Sequence, residues 1–167
     1  MRKRVIVAGH RPDRLGGYSD SVARVVREFA LESLSQRKHK IDTVYTGMSQ
    51  GWETATAEAC IELGLPFVAA LPFDNQEKFW SETAQERYHV LLEKAAEVVV
   101  VSPGPYSPEK TAARDQWLVS HGDVVLALWD GQKGGAGSLI YHAQAKGLIV
   151  ANLWTFYQMF LQQKEAA

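Results

Sequence analysis

The sequence predicts an α/β fold: a single Rossmann-like three-layer domain with a mostly parallel sheet, spanning residues 1–167. Two observations lead to this prediction. Short, continuous apolar runs, typical of strands buried on both faces, alternate along the chain with segments whose apolar residues recur at helical spacing. The helical segments have the length of crossover helices in βαβ units, and no linker or internal repeat divides the chain.

The first half of the chain contains three strands and two helices by this pattern. The expected elements are a strand at 4–8, a helix from Ser21 through Leu34, a strand at 43–45, a helix at 52–63 and a strand at 66–71. Ser19 or Asp20 can cap the first helix, because their side-chain oxygens accept hydrogen bonds from free backbone amides. Gly64 stands where glycine commonly ends a helix, and Pro72 ends the third strand.

The second half continues the alternation. The expected elements are a helix from Thr83 to about Lys94, a strand at 98–101, a helix from Pro108 to about His121, a strand at 123–128, a helix at 137–146, a strand at 148–151 and a terminal helix at 156–163. Thr83 and Glu86 have the spacing of a capping box. Ser107 before Pro108 is the pattern of an N-cap followed by proline in the first turn. The valines at 98–101 predict the clearest buried strand in the chain.

The composition excludes several classes of protein. The chain has 18 Lys and Arg against 19 Asp and Glu, a formal charge of −1. This balance argues against a protein that is held to nucleic acid by a broad basic face, although it leaves room for a local basic patch. We therefore do not expect nucleic acid as a partner. The one cysteine excludes a disulfide framework within the chain and a multi-cysteine zinc site. Cys60 lies on the apolar side of its helix, so we expect it to fill the core.

Membrane, metal and cofactor roles also lack a sequence signal. No apolar run approaches the ~18 residues of a membrane span, and the charged first residues are not followed by the apolar stretch of a secretory signal. We therefore expect a cytoplasmic protein with no membrane contact. No two of the five histidines are four residues apart and none has a cysteine nearby, so we expect no metal site. No cofactor is expected either.

The loop after the first strand is a candidate binding loop, because ligands of such sheets bind outside the carboxyl ends of the strands. It contains Gly9-His10-Arg11. His10 and Arg11 can both donate to an anionic ligand. An ordinary turn with solvated polar residues explains the same segment, and both interpretations stay open.

The loop after the second strand contains Gly47, Met48 and Gly51, followed at the helix start by Trp52 and Glu53. Backbone amides and the positive end of the helix dipole favour an anion at such a turn, so it is a candidate phosphate cradle. It matches neither the P-loop nor the Gly-x-Gly-x-x-Gly fingerprint. Glu53 either complements the helix dipole or serves as a carboxylate for ribose binding or acid/base chemistry.

The loops after the third and fifth strands complete the candidate site. Phe73 and Gln76 can stack against a base and hydrogen-bond to it, although aromatic residues here often only cover the core. Asp130 can contact ribose or close its turn. The strongest phosphate-loop signal is the glycine-rich segment after it, which consists of Gly134, Gly135, Ala136, Gly137 and Ser138.

Taken in order, these loops resemble the SLOG superfamily and, within it, the YpsA-like branch. The matching segments are Gly9-His10-Arg11, Leu15-Gly16-Gly17-Tyr18, Thr46-Gly47-Met48 with Gly51, Ala57-Glu58, Pro72-Phe73 with Gln76, Gln85-x-Arg87-Tyr88, and Trp129-Asp130-Gly131 with Gly134-Gly135. The resemblance implies a Rossmann-like domain that binds nucleotides or nucleotide-derived ligands. Relatives include phosphoribohydrolases, sensors of ADP-ribose-type signals and DprA-like proteins that bind single-stranded DNA.

The chain departs from the phosphoribohydrolase motif Pro-Gly-Gly-x-Gly-Thr-x-x-Glu. Its glycines are present, but Lys133 replaces the proline, Ser138 the threonine and Tyr141 the catalytic glutamate. The Arg-Asn pair typical of the branch is Arg114-Asp115 here. Because the usual acid is missing, Glu53 is the one carboxylate that the resemblance nominates for catalysis, where it would stabilise a ribosyl cation or position water.

Three functions are therefore compatible with the sequence. The first is binding of a small nucleotide-derived ligand, such as an ADP-ribose-like molecule. The second is hydrolysis of a nucleotide N-glycosidic bond with Glu53. The third is DprA-like binding of single-stranded DNA through Arg11, Arg14 and the basic run at 37–40. The aromatic cluster at 154–160 suggests, in addition, a homodimer or higher homo-oligomer.

Overall fold

The computed structural model describes all residues from 1 to 167 and contains six strands, six α-helices and two single-turn 3-10 helices, Pro12–Arg14 and Lys38–Lys40. The strands are β1 (Lys3–Gly9), β2 (Ile41–Thr46), β3 (Phe67–Leu71), β4 (Glu97–Val100), β5 (Val124–Leu128) and β6 (Ile149–Asn152). The helices are α1 (Asp20–Arg37), α2 (Trp52–Leu63), α3 (Glu82–Lys94), α4 (Pro108–His121), α5 (Gly135–Ala145) and α6 (Trp154–Ala166). This element order confirms the predicted α/β fold.

All strand pairs are parallel, and the strand order is β4-β3-β2-β1-β5-β6. The chain moves outward from β1 to β4 and then crosses to β5 on the other side of β1. The order therefore reverses between β1 and β5, and the crevice at their carboxyl ends is the standard ligand position of an open α/β sheet.

Residues of β1 alternate between the two faces of the sheet. Val5 and Val7 belong to a core cluster with residues of α1, α2, α3 and α6, whereas Ile6 and Ala8 belong to a second cluster with residues of α4 and α5. Two helical layers thus cover one sheet, as predicted. Cys60 lies fully buried in the first cluster, where burial raises the pKa of its thiol to about 12.

Local signals account for several helix ends. The Ser19 side chain accepts a hydrogen bond from the Val22 amide at the start of α1. Gly64 adopts the left-handed conformation (φ 68°) after α2, and Pro108 occupies the first turn of α4. These three features agree with the sequence patterns.

Other boundaries differ from the prediction. Helix α3 begins at Glu82, and Ser81 caps it by accepting a hydrogen bond from the Ala84 amide. The capping box at Thr83 is therefore wrong, because a second hydroxyl residue two positions earlier takes the capping position. Helix α5 begins two residues earlier than expected, and α6 extends at both ends.

Strand β4 is not the buried strand that its valines suggested. It is the last strand on its side of the sheet and pairs only with β3, and Val98 is 44% exposed. At the opposite edge, β6 exposes Ile149, and α6 exposes Phe156 and Met159. No helix is long and apolar enough to cross a membrane.

Candidate functional site

A cavity of about 260 Å³ lies beyond the carboxyl ends of β1, β2 and β3. Its walls come from the loops after these strands, from the segment before α4 and from α4 itself. The wall residues include Arg11, Tyr18, Phe73, Gln76, Tyr106 and Arg114. Three of them, Arg11, Phe73 and Gln76, are predicted ligand contacts that the fold places around one space. We call this space the edge cavity.

Buried charged residues surround Gly47 next to this cavity, and of them only Arg114 is a wall residue. Glu53, Arg114 and Asp115 are each less than a tenth exposed. A Cβ atom at position 47 would lie 2.4 Å from Arg114 Nη1 and 2.7 Å from Glu53 Oε1. Any larger residue at position 47 would therefore displace the ends of these two side chains, which take up the space beside its Cα.

Burial raises the pKa of Glu53 to about 7. Desolvation is the main cause, and the neighbouring Asp115 adds to it. Arg114 and Arg11 act in the opposite direction, as does the Ser49 backbone amide. The carboxyl group can thus gain or lose a proton near neutral pH, the property required of a general acid or base.

The Arg114 guanidinium is fixed at two of its three nitrogens. Nε donates to Asp115 Oδ1 at 3.2 Å, and Nη1 donates to the carbonyl oxygen of Gly47 at 3.1 Å. Nη2 makes no hydrogen bond within the protein, and Arg114 is one of the cavity wall residues. A rigidly held guanidinium with free donors suits a phosphate or carboxylate.

Gln76 connects this cluster to the aromatic wall. Its Nε2 atom donates to the Gly47 carbonyl at 3.1 Å and to the Tyr88 hydroxyl at 3.0 Å. The Tyr88 ring is 5.0 Å from the Trp80 ring, in an edge-to-face arrangement. Phe73 and Tyr106 form a second such pair at 5.3 Å. The cavity thus combines one fixed cation, Arg114, with aromatic surfaces.

The loops after β1 and β5 are joined by a set of contacts centred on His10 and Asp130, which we call the switch-point latch. The Asp130 amide donates to His10 Nε2 at 3.0 Å, and the same nitrogen lies 2.9 Å from Asp130 Oδ1. Arg14 donates to the Lys133 carbonyl at 3.2 Å. The Gln132 amide donates to the Asp130 carboxylate and is the main reason for its lowered pKa.

The glycine-rich loop after β5 lies beside the latch and does not line the edge cavity. Gly134 (φ 155°) precedes α5 as its N-cap, and no side chain caps this helix. Gly134, Gly135 and Ser138 are exposed and Ala136 is half-buried. Gly137 is buried, and a Cβ atom there would lie 3.2 Å from the Trp129 ring.

Four other predicted ligand residues serve packing. A Cβ atom on Gly9 would lie within 2.6 Å of the Trp52 side chain, and one on Gly51 would lie 2.4 Å from the His10 carbonyl. The side chains of Met48 and Trp52 are fully buried in the core. Only backbone atoms of these two residues can face a ligand, and Met48 has the positive φ (63°) that such turns use.

Sequence reasoning did not select Arg114 as a binding residue. The signal that could have identified it is its position in α4. Arg114 is four residues before Leu118, and Asp115 is four residues before Val119, so both charged residues lie on the apolar face of the helix. A charged pair on such a face requires a structural or functional reason. Tyr18 belongs to a segment that matches the family, and Trp80 follows the candidate loop after the third strand, but neither was selected as a ligand contact. Tyr106 gave no sequence signal.

Two further placements bear on the candidate functions. The basic run at 37–40 directly precedes β2 and therefore lies at the amino edge of the sheet, opposite Arg11 and Arg14. The three parts of the proposed DNA contact thus do not share one edge. No group of three or more His, Cys, Asp or Glu side chains is arranged to hold a metal ion.

Curated relatives of the chain are bacterial proteins. A prophage-derived protein of Bacillus subtilis, YoqJ, is 28% identical over 104 residues, 56% of this chain and 60% of that protein. The chain thus spans less than two thirds of YoqJ. A UPF0398 protein of Bacillus cereus is 25% identical over 167 residues, 95% of this chain and 91% of the relative.

Solved structures share the fold at low identity. DNA processing protein A (DprA) of Streptococcus pneumoniae matches with a TM-score of 0.63 and 15% identity, covering 90% of this chain and half of DprA. A Helicobacter pylori DprA, described by its single-stranded DNA binding mode, gives 0.61 at 14% identity, covering 96% and 80% of the two chains. These neighbours give no support to the exclusion of nucleic acid that the net charge suggested.

A carrier protein for the molybdenum cofactor from Chlamydomonas is a third neighbour, with a TM-score of 0.54 and 14% identity over 99% of this chain and 86% of the carrier.

The sequence itself matches a family model over most of its length. The YpsA model, described as the YspA SLOG family, matches residues 5–151. These residues include every strand of the sheet except the first two residues of β1 and the last residue of β6, and they contain the edge cavity and the latch. The chain therefore belongs to the YpsA family of SLOG proteins.

Proposed function

We propose that the protein binds a phosphate-bearing, nucleotide-derived ligand, such as an ADP-ribose-like molecule, at the carboxyl edge of its sheet. The observation that carries this proposal is the Arg114 guanidinium, which is buried, held at Nε and Nη1, and free of protein partners at Nη2. A cation fixed in advance loses little freedom when it binds a phosphate. Arg11 supplies a second, exposed cation on the same cavity.

The remaining walls suit the other parts of such a ligand. Phe73 and Tyr106 offer ring surfaces for a base, and the amide of Gln76 offers polar contacts. The exposed start of α5 at Gly134 and Gly135 presents backbone N–H groups across the latch, where a second phosphate is favoured by the helix dipole. The net charge of −1 agrees with local anion binding of this kind.

Isothermal titration calorimetry with AMP, ADP and ADP-ribose tests the proposal. We expect binding by wild type and a loss of about tenfold or more in affinity for Arg114→Gln, since a hydrogen bond to a charged group contributes about 1.5–3 kcal/mol. Arg11→Gln, an exposed position that does not threaten folding, should also weaken binding. Arg24→Gln, on the exposed face of α1, is the charge-matched control. The proposal fails if none of the three ligands binds, or if Arg114→Gln and Arg11→Gln bind as wild type does.

Hydrolysis of a nucleotide N-glycosidic bond is the second candidate, and the pKa of Glu53 near 7 favours it. In this reaction water adds to C1′ of the ribose, and the base leaves with the electrons of the C–N bond and takes up a proton. Glu53 would stabilise the ribosyl cation or accept the proton of the attacking water. Chromatography for free base after incubation with nucleoside monophosphates tests this reaction. Glu53→Gln should abolish base release, and equal release by this variant would exclude Glu53 from the chemistry.

A further inference from the structure

A groove of about 480 Å³ between α1, α2 and α3 adjoins the edge cavity. Tyr18, Gln50 and Trp80 line both spaces, so the two are separated by no more than one layer of side chains. We call it the helical groove. The edge cavity alone is smaller than the roughly 300–1,000 Å³ typical of small-molecule sites, whereas the two spaces together fall within that range.

The walls of the helical groove are half apolar, and two acidic residues, Asp20 and Glu58, are among the others. The apolar side chains include Leu15, Val26, Ala55, Ala84 and Leu91. Glu58 lines the same groove, with Arg27 and Arg87 each 3.7 Å from its carboxylate. Such a lining suits a flat ring with apolar faces and hydrogen-bond donors on its edge, as nucleobases have.

Glu58 has room for an additional hydrogen-bond donor. Both arginine contacts are longer than a hydrogen bond, and no other side chain donates to this carboxylate. Burial raises the pKa of Glu58 even though Arg87 and Arg27 oppose the shift. The amino or hydroxyl group of a ligand would therefore supply a contact that the protein does not provide.

The walls of the two spaces are also linked by hydrogen bonds and ring packing. Tyr88 lines the helical groove and accepts the hydrogen bond of Gln76, which in turn holds the Gly47 carbonyl beside Arg114. Trp80 packs against Tyr88 and forms a wall of both spaces. A ligand that spans the shared wall thus contacts side chains that are already fixed relative to each other.

We propose that the helical groove is a second subsite, which takes the ring-bearing far end of a two-part ligand whose phosphate lies in the edge cavity. The ligand class is a nucleoside diphosphate linked to a second sugar or nucleoside. This inference rests on the proposed function, since the phosphate of the same ligand must bind at Arg11 and Arg114. A mononucleotide would fill the edge cavity alone.

Calorimetry with AMP and ADP-ribose on groove-filling variants tests the second subsite. Ala84→Trp and Ala23→Trp introduce bulk from α3 and from α1, on two separate walls of the groove. Ala112→Trp, on the exposed surface of α4, is the matched control. We expect wild type and the control to bind ADP-ribose about tenfold or more tightly than AMP. Both groove variants should lose this difference while AMP affinity stays within about twofold.

The outcomes separate the two proposals. If AMP binds but ADP-ribose binds no better, or if both groove variants keep the preference, the second subsite is wrong and the proposed function stands. If neither ligand binds wild type, the proposed function fails and the subsite with it. If AMP binding is lost in both groove variants but not in Ala112→Trp, the groove belongs to the mononucleotide site and the two-part assignment is overturned.

Discussion

Arg114 Nη1 donates a 3.1 Å hydrogen bond to the carbonyl oxygen of Gly47, a residue 67 positions earlier in the chain. The same carbonyl accepts a hydrogen bond from Gln76. Helix α4 and the loop after β3 are thereby both attached to the turn between β2 and α2. The position of the Arg114 guanidinium at the wall of the edge cavity depends on this turn.

Gly47→Ala should therefore disturb the site more than the fold. The new methyl group would lie 2.4 Å from Arg114 Nη1, and overpacking of this kind costs about 1–3 kcal/mol of stability. Gly122→Ala is a matched control, because its methyl group would lie 2.3 Å from Ile6 at the amino edge of the sheet. We expect both variants to be destabilised in denaturant unfolding. Only Gly47→Ala should lose affinity for phosphate-bearing ligands, and equal affinity in the two variants would contradict the role of this turn.

Asp115 should act as a positioning residue for Arg114. Asp115→Ala removes the acceptor of Arg114 Nε and leaves a buried cation unpaired, which costs about 3–5 kcal/mol when such a pair is broken. Asp115→Asn keeps an oxygen for Nε and removes a negative charge from the neighbourhood of Glu53. We expect Asp115→Asn to fold and to lower the pKa of Glu53, as measured by carboxyl NMR titration. An unchanged Glu53 titration would show that Asp115 does not act on it.

Glu53 should make the protein less stable as the pH rises. Its pKa is 4.5 as an ordinary glutamate and about 7 in the folded chain, so between these values the unfolded chain releases a proton that the folded chain keeps. The free energy of unfolding should therefore fall between pH 4.5 and pH 7. Above pH 7, Glu53 should cause no further loss of stability. Glu53→Gln should be more stable than wild type at pH 8 by up to about 3 kcal/mol, and similar to it at pH 4.

Urea unfolding at the two pH values measures this difference. Glu93→Gln, on the exposed side of α3, controls for the loss of one negative charge. A stability change in Glu53→Gln that is the same at pH 4 and pH 8 would contradict the raised pKa.

The switch-point latch should hold the loop after β5. In Asp130→Ala the carboxylate contacts to His10 Nε2 and to the Gln132 amide are lost, while the backbone hydrogen bond from residue 130 to His10 remains. We expect faster amide hydrogen exchange at 130–137. Asp123→Ala breaks a comparable contact, with Arg4, at the opposite edge of the sheet. Its exchange at 130–137 should match wild type. Slow exchange in Asp130→Ala would show that other contacts hold the loop.

The sequence predicted the sheet well because buried parallel strands leave continuous apolar runs that need no partner to be recognised. The prediction of a buried strand at 98–101 was wrong. A run of valines does not show whether a strand has a neighbour on both sides or lies at the edge of the sheet. Strand order depends on contacts between distant segments. For the same reason Arg114 was not selected, because it reaches the site only when α4 packs next to the turn after β2.

The glycines predicted where the loops lie, but they did not show why each of these positions carries a glycine. Positions 9 and 51 have no room for a side chain, because the Trp52 side chain and the His10 backbone lie against them. The Trp129 ring limits the space at position 137 in the same way. Gly134 and Gly135 remain exposed and available to a ligand. The same residue type serves close packing and anion binding, and only the neighbours in space distinguish the two.

His10 and Asp130 are 120 residues apart in sequence, and this separation has a consequence for synthesis. A chain emerging from the ribosome exposes β1 long before β5 exists to pair with it, and closing so long a loop is slow. The first hundred residues contain Glu53 and Gly47 but neither Arg114 nor the latch. A nascent chain therefore lacks Arg114 and the latch until the segment through Lys133 has emerged. Under the proposed function, ligand binding would then begin only after most of the chain has been made.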